Sequence, residues 1–416
     1  MKSPQQIAFD IGAAVAHRVS LESCGSDERQ AMAGPVCGLA LLCAALQRLP
    51  GGERFHEIGQ MAYGLLIDSV CTKTYHSSGM YGGLAGVGWV LDLLKDHYLA
   101  DPSEIEDLLS QIDGAIILGL EGKQSRDGYD LISGTVGLGV YGLYRHKHDA
   151  GSTIVSLVVD ALAETSQTDG RRIWWITPPE LIVRPEERED FPNGQTNLGM
   201  AHGVPGVASL LALALARGHD TPRTRSLLAG TVDYLVSMEQ HQNSVSRYSY
   251  VAERTGNSRL AWCYGDVGVS LAILQSATAL GDEDRVNWAS ALLLNAAART
   301  SANGIQDAGI CHGSAGILHV VRRAQALTDH PGLAAPAAHW FGELVKVDET
   351  KHPHDIFQSW QGAENTYVTD HSFLTGATGV ALALLSATDQ VEFAWDAPLL
   401  TDIQGLRSNP RGAAAA

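Results

Sequence analysis

The sequence predicts an all-α fold, a two-layer ring of about seven helical hairpins whose inner helices are entered through Gly-x-x-Gly turns. Three observations carry this. The turn recurs at Gly83, Gly134, Gly203, Gly265, Gly313 and Gly376, at spacings of 51, 69, 62, 48 and 63 residues by subtraction. Each turn opens a run of apolar or small residues, such as 87–94 or 207–216, long enough and rich enough in Ala and Leu to favour a buried helix over a strand. Between the runs lie amphipathic segments, 102–120 and 224–238 among them, each with one wet face as an outer helix has.

In chain order, residues 7–21 and 27–49 supply an earlier hairpin, with Gly34 and Gly38 as a degenerate turn, which brings the count to about seven. The glycines let several turns converge at one end of the ring, because a residue without a side chain permits close approach or positive φ. Any one of them alone reads as an ordinary helix connector, and six similar turns together favour convergence. The longest spacing contains the segment 172–195, with Trp174, Trp175, Pro178, Pro179 and Pro185 followed by an acidic run. Prolines interrupt helix there, so it reads as a short extended piece at the rim, either covering a cavity or packed down by its tryptophans. Residues 1–407 are expected to form a single domain and 408–416 a tail.

Composition narrows the function classes. The 416 residues include 45% hydrophobic and 18% charged side chains, the balance of a chain that buries a large core. A net charge of -17 argues against nucleic acid and anionic lipid as partners. The N-terminus lacks the apolar core of a signal peptide and no apolar stretch is long enough to span a bilayer, which predicts a cytoplasmic protein. Cys24, Cys37, Cys43, Cys71, Cys263 and Cys311 are too scattered for a disulfide framework. Cys37 and Cys43 sit in an apolar run and read as small core residues.

The residues just before the turn glycines carry the chemistry. If the turns converge, Tyr81, Asp130, His202, Cys263, Cys311, His312 and Thr375 face one space. Two thiols and an imidazole suit Zn2+, and three protein ligands leave a fourth tetrahedral position for water or substrate. Asp130 and His202 are then acid–base candidates beside the metal. Taken singly, Asp130 also reads as a helix cap and His202 as a hydrogen-bonded structural histidine. Coincidence at matching repeat positions favours the functional reading.

Asp130-Leu131-Ile132-Ser133-Gly134, Ala201-His202-Gly203-Val204-Pro205-Gly206, Trp262-Cys263-Tyr264-Gly265 and Cys311-His312-Gly313 together resemble the lanthionine synthetase C-like proteins, the cyclases of lanthipeptide biosynthesis. The resemblance runs in order from about Gly82 to Gly379. It implies a double-layered α/α toroid with zinc held by Cys263, Cys311 and His312, and Asp130, His202 and Arg259 beside the metal, with Tyr264 matching as well. The implied reaction is Michael-type addition of peptide cysteine thiols to dehydroalanine or dehydrobutyrine, forming lanthionine or methyllanthionine rings. The implied partners are a dehydrated precursor peptide, with a dehydratase and an exporter in the same pathway. In this reading His202 donates a proton, Asp130 orients or recharges it or takes the thiol proton, and Arg259 stabilises the enolate oxygen. Asp266 places a further acid in the Cys263 turn. Two rivals remain: a relative that binds thiols or peptides through zinc without catalysis, and an α/α-ring glycoside hydrolase using a carboxylate pair.

Overall fold

A computed structural model describes residues 2–21, 31–72, 75, 77–122, 128–145, 148–182, 185–240, 245–301, 304–348, 350–391 and 393–407. Cys24, Val183, Arg184 and the expected tail 408–416 lie outside the described residues. The ring is formed by α1 (Pro4–Leu21), α2 (Pro35–Leu46), α3 (Phe55–Thr72), α4 (Leu84–Tyr98), α5 (Glu106–Glu121), α6 (Thr135–Tyr144), α7 (Asp149–Thr165), α8 (Val204–Ala216), α9 (Pro222–Ser237), α10 (Asp266–Leu280), α11 (Glu283–Ala297), α12 (Ser314–Thr328), α13 (Ala334–Val345) and α14 (Ala377–Ala387). A short α15 (Gln404–Arg407) follows.

The even-numbered helices up to α14 are the inner layer. Each packs on the next, and α14 packs back on α2 to close the ring. The most buried of them are apolar all round because a neighbour covers every side, as α8 buries every residue from Val204 to Leu215, whereas α4 and α12 carry charged residues such as Asp92, Lys95, Arg322 and Arg323. The odd-numbered helices bury one face only, as α5 does with Leu109, Ile112, Ile116 and Leu120. The first hairpin differs from the expectation. Helix α2 pairs with α3, whereas α1 packs more extensively on α14 than on α2 and so serves as the outer partner of the last inner helix. Chain ends that meet in this way close a repeat ring without an exposed seam.

All seven inner helices start from a glycine cap: Gly34, Gly83, Gly134, Gly203, Gly265, Gly313 and Gly376. Close approach explains the second glycine of the motif. A Cβ on Gly268 would lie 2.2 Å from the Trp262 carbonyl oxygen, and one on Gly316 1.9 Å from that of Ile310. Of the seven caps only Gly265 has positive φ, at 81°.

Backbone hydrogen bonds stitch the turns together in ring order. Ala33 N–H donates to Tyr81 O (2.8 Å), Tyr81 to Ile132 (3.0 Å), Leu131 to Ala201 (3.1 Å), Ala201 to Cys263 (3.5 Å), Cys263 to Cys311 (3.1 Å) and Cys311 to Leu374 (2.9 Å). The residues before the glycines are therefore registered neighbours on one face of the ring.

The C-terminal residues fill the ring's centre. Trp262 Nε1 donates to Leu399 O (2.9 Å), the Tyr81 hydroxyl to Pro398 O (2.8 Å) and Gln275 Nε2 to Leu400 O (2.9 Å). His319 Nε2 meets Asp396 at 2.9 Å, and Asp402 takes bonds from Tyr144 and Arg217. Groups from around the ring thus converge on one segment, which satisfies its buried backbone carbonyls.

Two antiparallel hairpins decorate the rim: β1 (Gln167–Thr168) with β2 (Ile173–Trp174), and β3 (Gln358–Gln361) with β4 (Thr366–Thr369). In the 172–195 segment the tryptophans are structural. Trp174 stacks on Tyr234 at 5.1 Å, and buried Trp175 donates its Nε1 to Leu162 O at 2.9 Å. No helix among the described residues is long and apolar enough to cross a membrane.

Candidate metal centre and acid–base pair

The ladder of turn hydrogen bonds sets Cys263 against Cys311, and His312 follows at once. Ligand atoms of Cys263, Cys311 and His312 all lie within 4.8 Å of one another. This is the one group of metal-ligand type found among the described residues. Cys263 is buried while Cys311 and His312 are half-buried, so the cluster opens to one side.

The electrostatics suit a site that expects a cation. The hydrogen bond from Cys311 is the largest influence holding the Cys263 thiol down near 7, against its burial and with help from His312, Arg259 and His202. The Cys311 thiol is pushed well up by that same bond and by burial. One buried and one half-buried thiol with an imidazole packed this closely, and no carboxylate in the ligand set, form a donor set that fits zinc. Cys37 and Cys43, by contrast, are fully buried and their thiols are driven far up by desolvation, as expected of core residues.

Asp307 was not singled out by the sequence. Its Oδ2 lies 3.3 Å from His312 Nε2, which leaves Nδ1 as the ring nitrogen without a carboxylate on it. Asp307 Oδ2 also accepts from Trp360 N (2.9 Å), and its Oδ1 from Gly309 N (3.0 Å). The bond to Asp307 is the main cause of a raised His312 pKa. A carboxylate on the far nitrogen of a metal-ligating histidine fixes ring orientation and raises its basicity. The signal was present as a repeat position: Asn197, Asp307 and Asp370 each stand six residues before a turn glycine, by subtraction from Gly203, Gly313 and Gly376. Each also caps its own turn, accepting from Gly199, Gly309 and Ser372 respectively.

Asp130 and His202 form the second element. His202 Nδ1 and Asp130 Oδ2 are 2.6 Å apart. Asp130 Oδ1 accepts from Ser133 N (2.8 Å) and Gly134 N (2.9 Å), so the capping role and the histidine contact are both filled, one by each oxygen. Burial works against the Asp130 charge, but the histidine and the two backbone N–H groups outweigh it and leave its pKa lowered. His202 is one turn from Cys263 on the ladder and exerts a charge effect on its thiol.

Arg259 is half-buried, and both cysteines act on its charge: burial disfavours the guanidinium, while the Tyr250 hydroxyl and the two thiols more than offset this. The Tyr250 hydroxyl accepts from Arg259 N at 3.1 Å. Tyr264 receives Asn197 Nδ2 on its hydroxyl at 2.9 Å and meets Tyr250 edge-on at 5.2 Å. Gly199 makes room for that ring, since a Cβ there would stand 2.6 Å from Tyr264 Cε1.

Three expected neighbours do not join. Tyr81 is buried and bonded to Pro398, so it faces the ring's centre, and the Thr375 hydroxyl is held by Asp370 at 2.6 Å within its own turn. Asp266 is buried, accepts from Arg247 N and Tyr248 N at 2.9 Å each, and pairs with Arg299 at 3.0 Å. Its burial raises its pKa despite those partners, and its carboxylate braces the 247–248 segment instead of approaching the thiols.

Comparison with known proteins agrees with this arrangement. The sequence model of the family described as lanthionine synthetase C-like protein matches residues 30–400. The nisin biosynthesis protein NisC of Lactococcus lactis subsp. lactis is 24% identical over 303 residues, spanning 68% of this chain and 71% of its own. The solved structure of a nisin cyclase superposes with a TM-score of 0.75 at 19% identity, covering 94% of this chain and 96% of that one, and shares the ring fold. The ordered Gly-capped inner helices, the Cys263–Cys311–His312 cluster and the match over most of the chain lead to one conclusion: this protein belongs to the lanthionine synthetase C-like family.

Proposed function

We propose that the protein is a zinc-dependent lanthipeptide cyclase acting on a dehydrated precursor peptide. The observation that supports this most is the Cys263–Cys311–His312 cluster one turn from a hydrogen-bonded Asp130–His202 pair, in a chain of this family. Cys263, Cys311 and His312 would hold the metal. Bound there, Zn2+ supplies the acidity that turns a peptide thiol, otherwise only a few per cent ionised near neutrality, into a thiolate.

The remaining steps fall to the chain's own groups. The sulfur–Cβ bond forms as the Cα=Cβ π bond breaks, and the electron pair moves to the carbonyl oxygen as an enolate. Arg259, whose charge is sustained by its surroundings, stabilises that oxygen. The pair then returns to Cα, which takes a proton. His202, with Asp130 on Nδ1, presents Nε2 as the donor, and Asp130, held ionised by its partners, fixes the orientation of the ring. Tyr264, held by Asn197, positions the Cys263 turn against Arg259. The thiol proton is replaced at Cα, so mass is unchanged and no oxidant is required.

The test is loss of alkylatable thiols from dehydrated precursors incubated with zinc-loaded protein. His202→Asn should slow the loss by about 10²- to 10⁴-fold while keeping zinc. Cys311→Ala should lose stoichiometric zinc. Thiol loss no faster than the spontaneous rate, across several precursors, would leave a protein that binds thiols without catalysis.

A further inference from the structure

A cavity of about 520 Å³ begins at the acid–base pair and extends away from the metal ligands. Asp130 and His202 line one end of it, whereas Cys263, Cys311, His312 and Arg259 contribute nothing to its wall. In ring order, the cavity belongs to the turns that open α4 and α6, the cysteines belong to those that open α10 and α12, and His202 stands on the α8 turn between them.

The wall has two characters. Leu84, Leu138 and Leu181 are apolar, and Ser77, Ser78 and Thr177 present hydroxyls. Helix α5 comes over it with Ala115 and Gly119, one helical turn apart on the same face. Leu181 and Thr177 come from the 172–195 segment, which therefore walls the cavity as well as packing on its tryptophans. A space of this size takes a ligand larger than one side chain, and mixed apolar and hydroxyl lining suits uncharged peptide.

We propose that this cavity is the acceptor subsite, taking the dehydroamino acid and the residue beside it, so that the peptide crosses the ring's face with its thiol at the α10–α12 sector and its Cα at His202. The inference rests on the cyclase reading. It explains why His202 lies between two spaces: the proton must arrive at an atom of the acceptor, not at sulfur. Apolar walls serve the methyl group of dehydrobutyrine, and the hydroxyls serve the flanking amide groups.

Gly119 provides the test, because a side chain added there meets no atom within 4 Å and would project into empty space. Gly119→Trp fills the cavity, and Gly119→Leu fills it partly with little risk to folding, since side chains favour helix over glycine. Leu118→Trp is the control: Leu118 is 68% exposed on the same helix and is not part of the wall. The probes are synthetic peptides with one dehydrobutyrine and one cysteine, with dehydrobutyrine and no cysteine, and with cysteine and no dehydrobutyrine. For Gly119→Trp, kcat/KM on the first should fall at least about tenfold and the Kd of the second should rise by a similar factor. The Kd of the third, the zinc content and the Leu118→Trp rates should not change. Wild-type binding of the second probe by both Gly119 variants would overturn the assignment. If the wild type binds but never cyclises, the cyclase reading falls, and the binding comparison still decides whether the cavity takes the dehydro segment.

Discussion

Replacing Asp307 by Asn should weaken zinc binding without unfolding the protein. The carboxylate is almost wholly buried and serves three groups: Gly309 N at 3.0 Å, Trp360 N at 2.9 Å and His312 Nε2 at 3.3 Å. An amide of the same shape can keep its oxygen on one side only. If that side is Gly309, its NH2 faces two donors, His312 and Trp360, and can satisfy neither. A hydrogen bond to a charged group contributes about 1.5–3 kcal/mol, and about 1.4 kcal/mol corresponds to tenfold, so the loss at His312 amounts to about 10- to 100-fold in metal affinity. The assay is competition for zinc against a chromophoric chelator, with the thermal midpoint of the metal-free variant followed in parallel. Asp370→Asn is the matched control: it occupies the same repeat position and caps Ser372 N at 2.8 Å, but it has no metal-ligand partner. Zinc affinity of a folded Asp307→Asn protein within about twofold of wild type would refute the reasoning, as would an equal loss in Asp370→Asn.

Three further predictions follow from the same geometry. Gly265→Ala should destabilise by more than about 1 kcal/mol and reduce zinc content, because φ is 81° there and the new Cβ would sit 2.2 Å from the Arg259 carbonyl oxygen; chemical denaturation and metal analysis measure both. Trp262→Phe should cost about 1–3 kcal/mol in a denaturant titration by leaving the Leu399 carbonyl without its donor, and a cost near zero would mean that the central segment does not brace the Cys263 turn. Acid should weaken the fold through histidines. His97, His219 and His319 are each lowered from 6.5, chiefly by burial, so each binds a proton more readily when unfolded. Their contribution is complete above about pH 6.5 and shrinks as pH falls toward their folded values. His312, raised by Asp307, acts oppositely in metal-free protein: its contribution is full below 6.5 and is lost as pH rises through its folded value. With three against one, the thermal midpoint should drop between about pH 7 and about pH 5.5, and less so in His319→Gln; a midpoint that rises on acidification contradicts this.

The amino-acid sequence by itself determined the ring, because its signals are local and repeated. A glycine pair at three-residue spacing followed by an all-apolar run specifies an inner helix wherever it occurs, and one such unit cannot bury itself without a neighbour. It also determined which side chains meet at the metal centre and at the acid–base pair, since Cys263, Cys311, His312, Asp130 and His202 occupy turns that the repeat must bring together. Other features depend on contacts between distant segments. That α1 closes the ring against α14, or that residues 395–402 fill its centre, follows from packing and carries no periodic trace in the chain. The directions of Tyr81 and Asp266, away from the site, were decided by carbonyls and N–H groups elsewhere that needed partners. Asp307 had a repeat position but no motif, so its place behind His312 became legible only when the β3 strand and the turn were brought together. The cavity beside His202 is an absence of atoms between five separate segments, and space left over when helices pack is set by the tertiary structure alone.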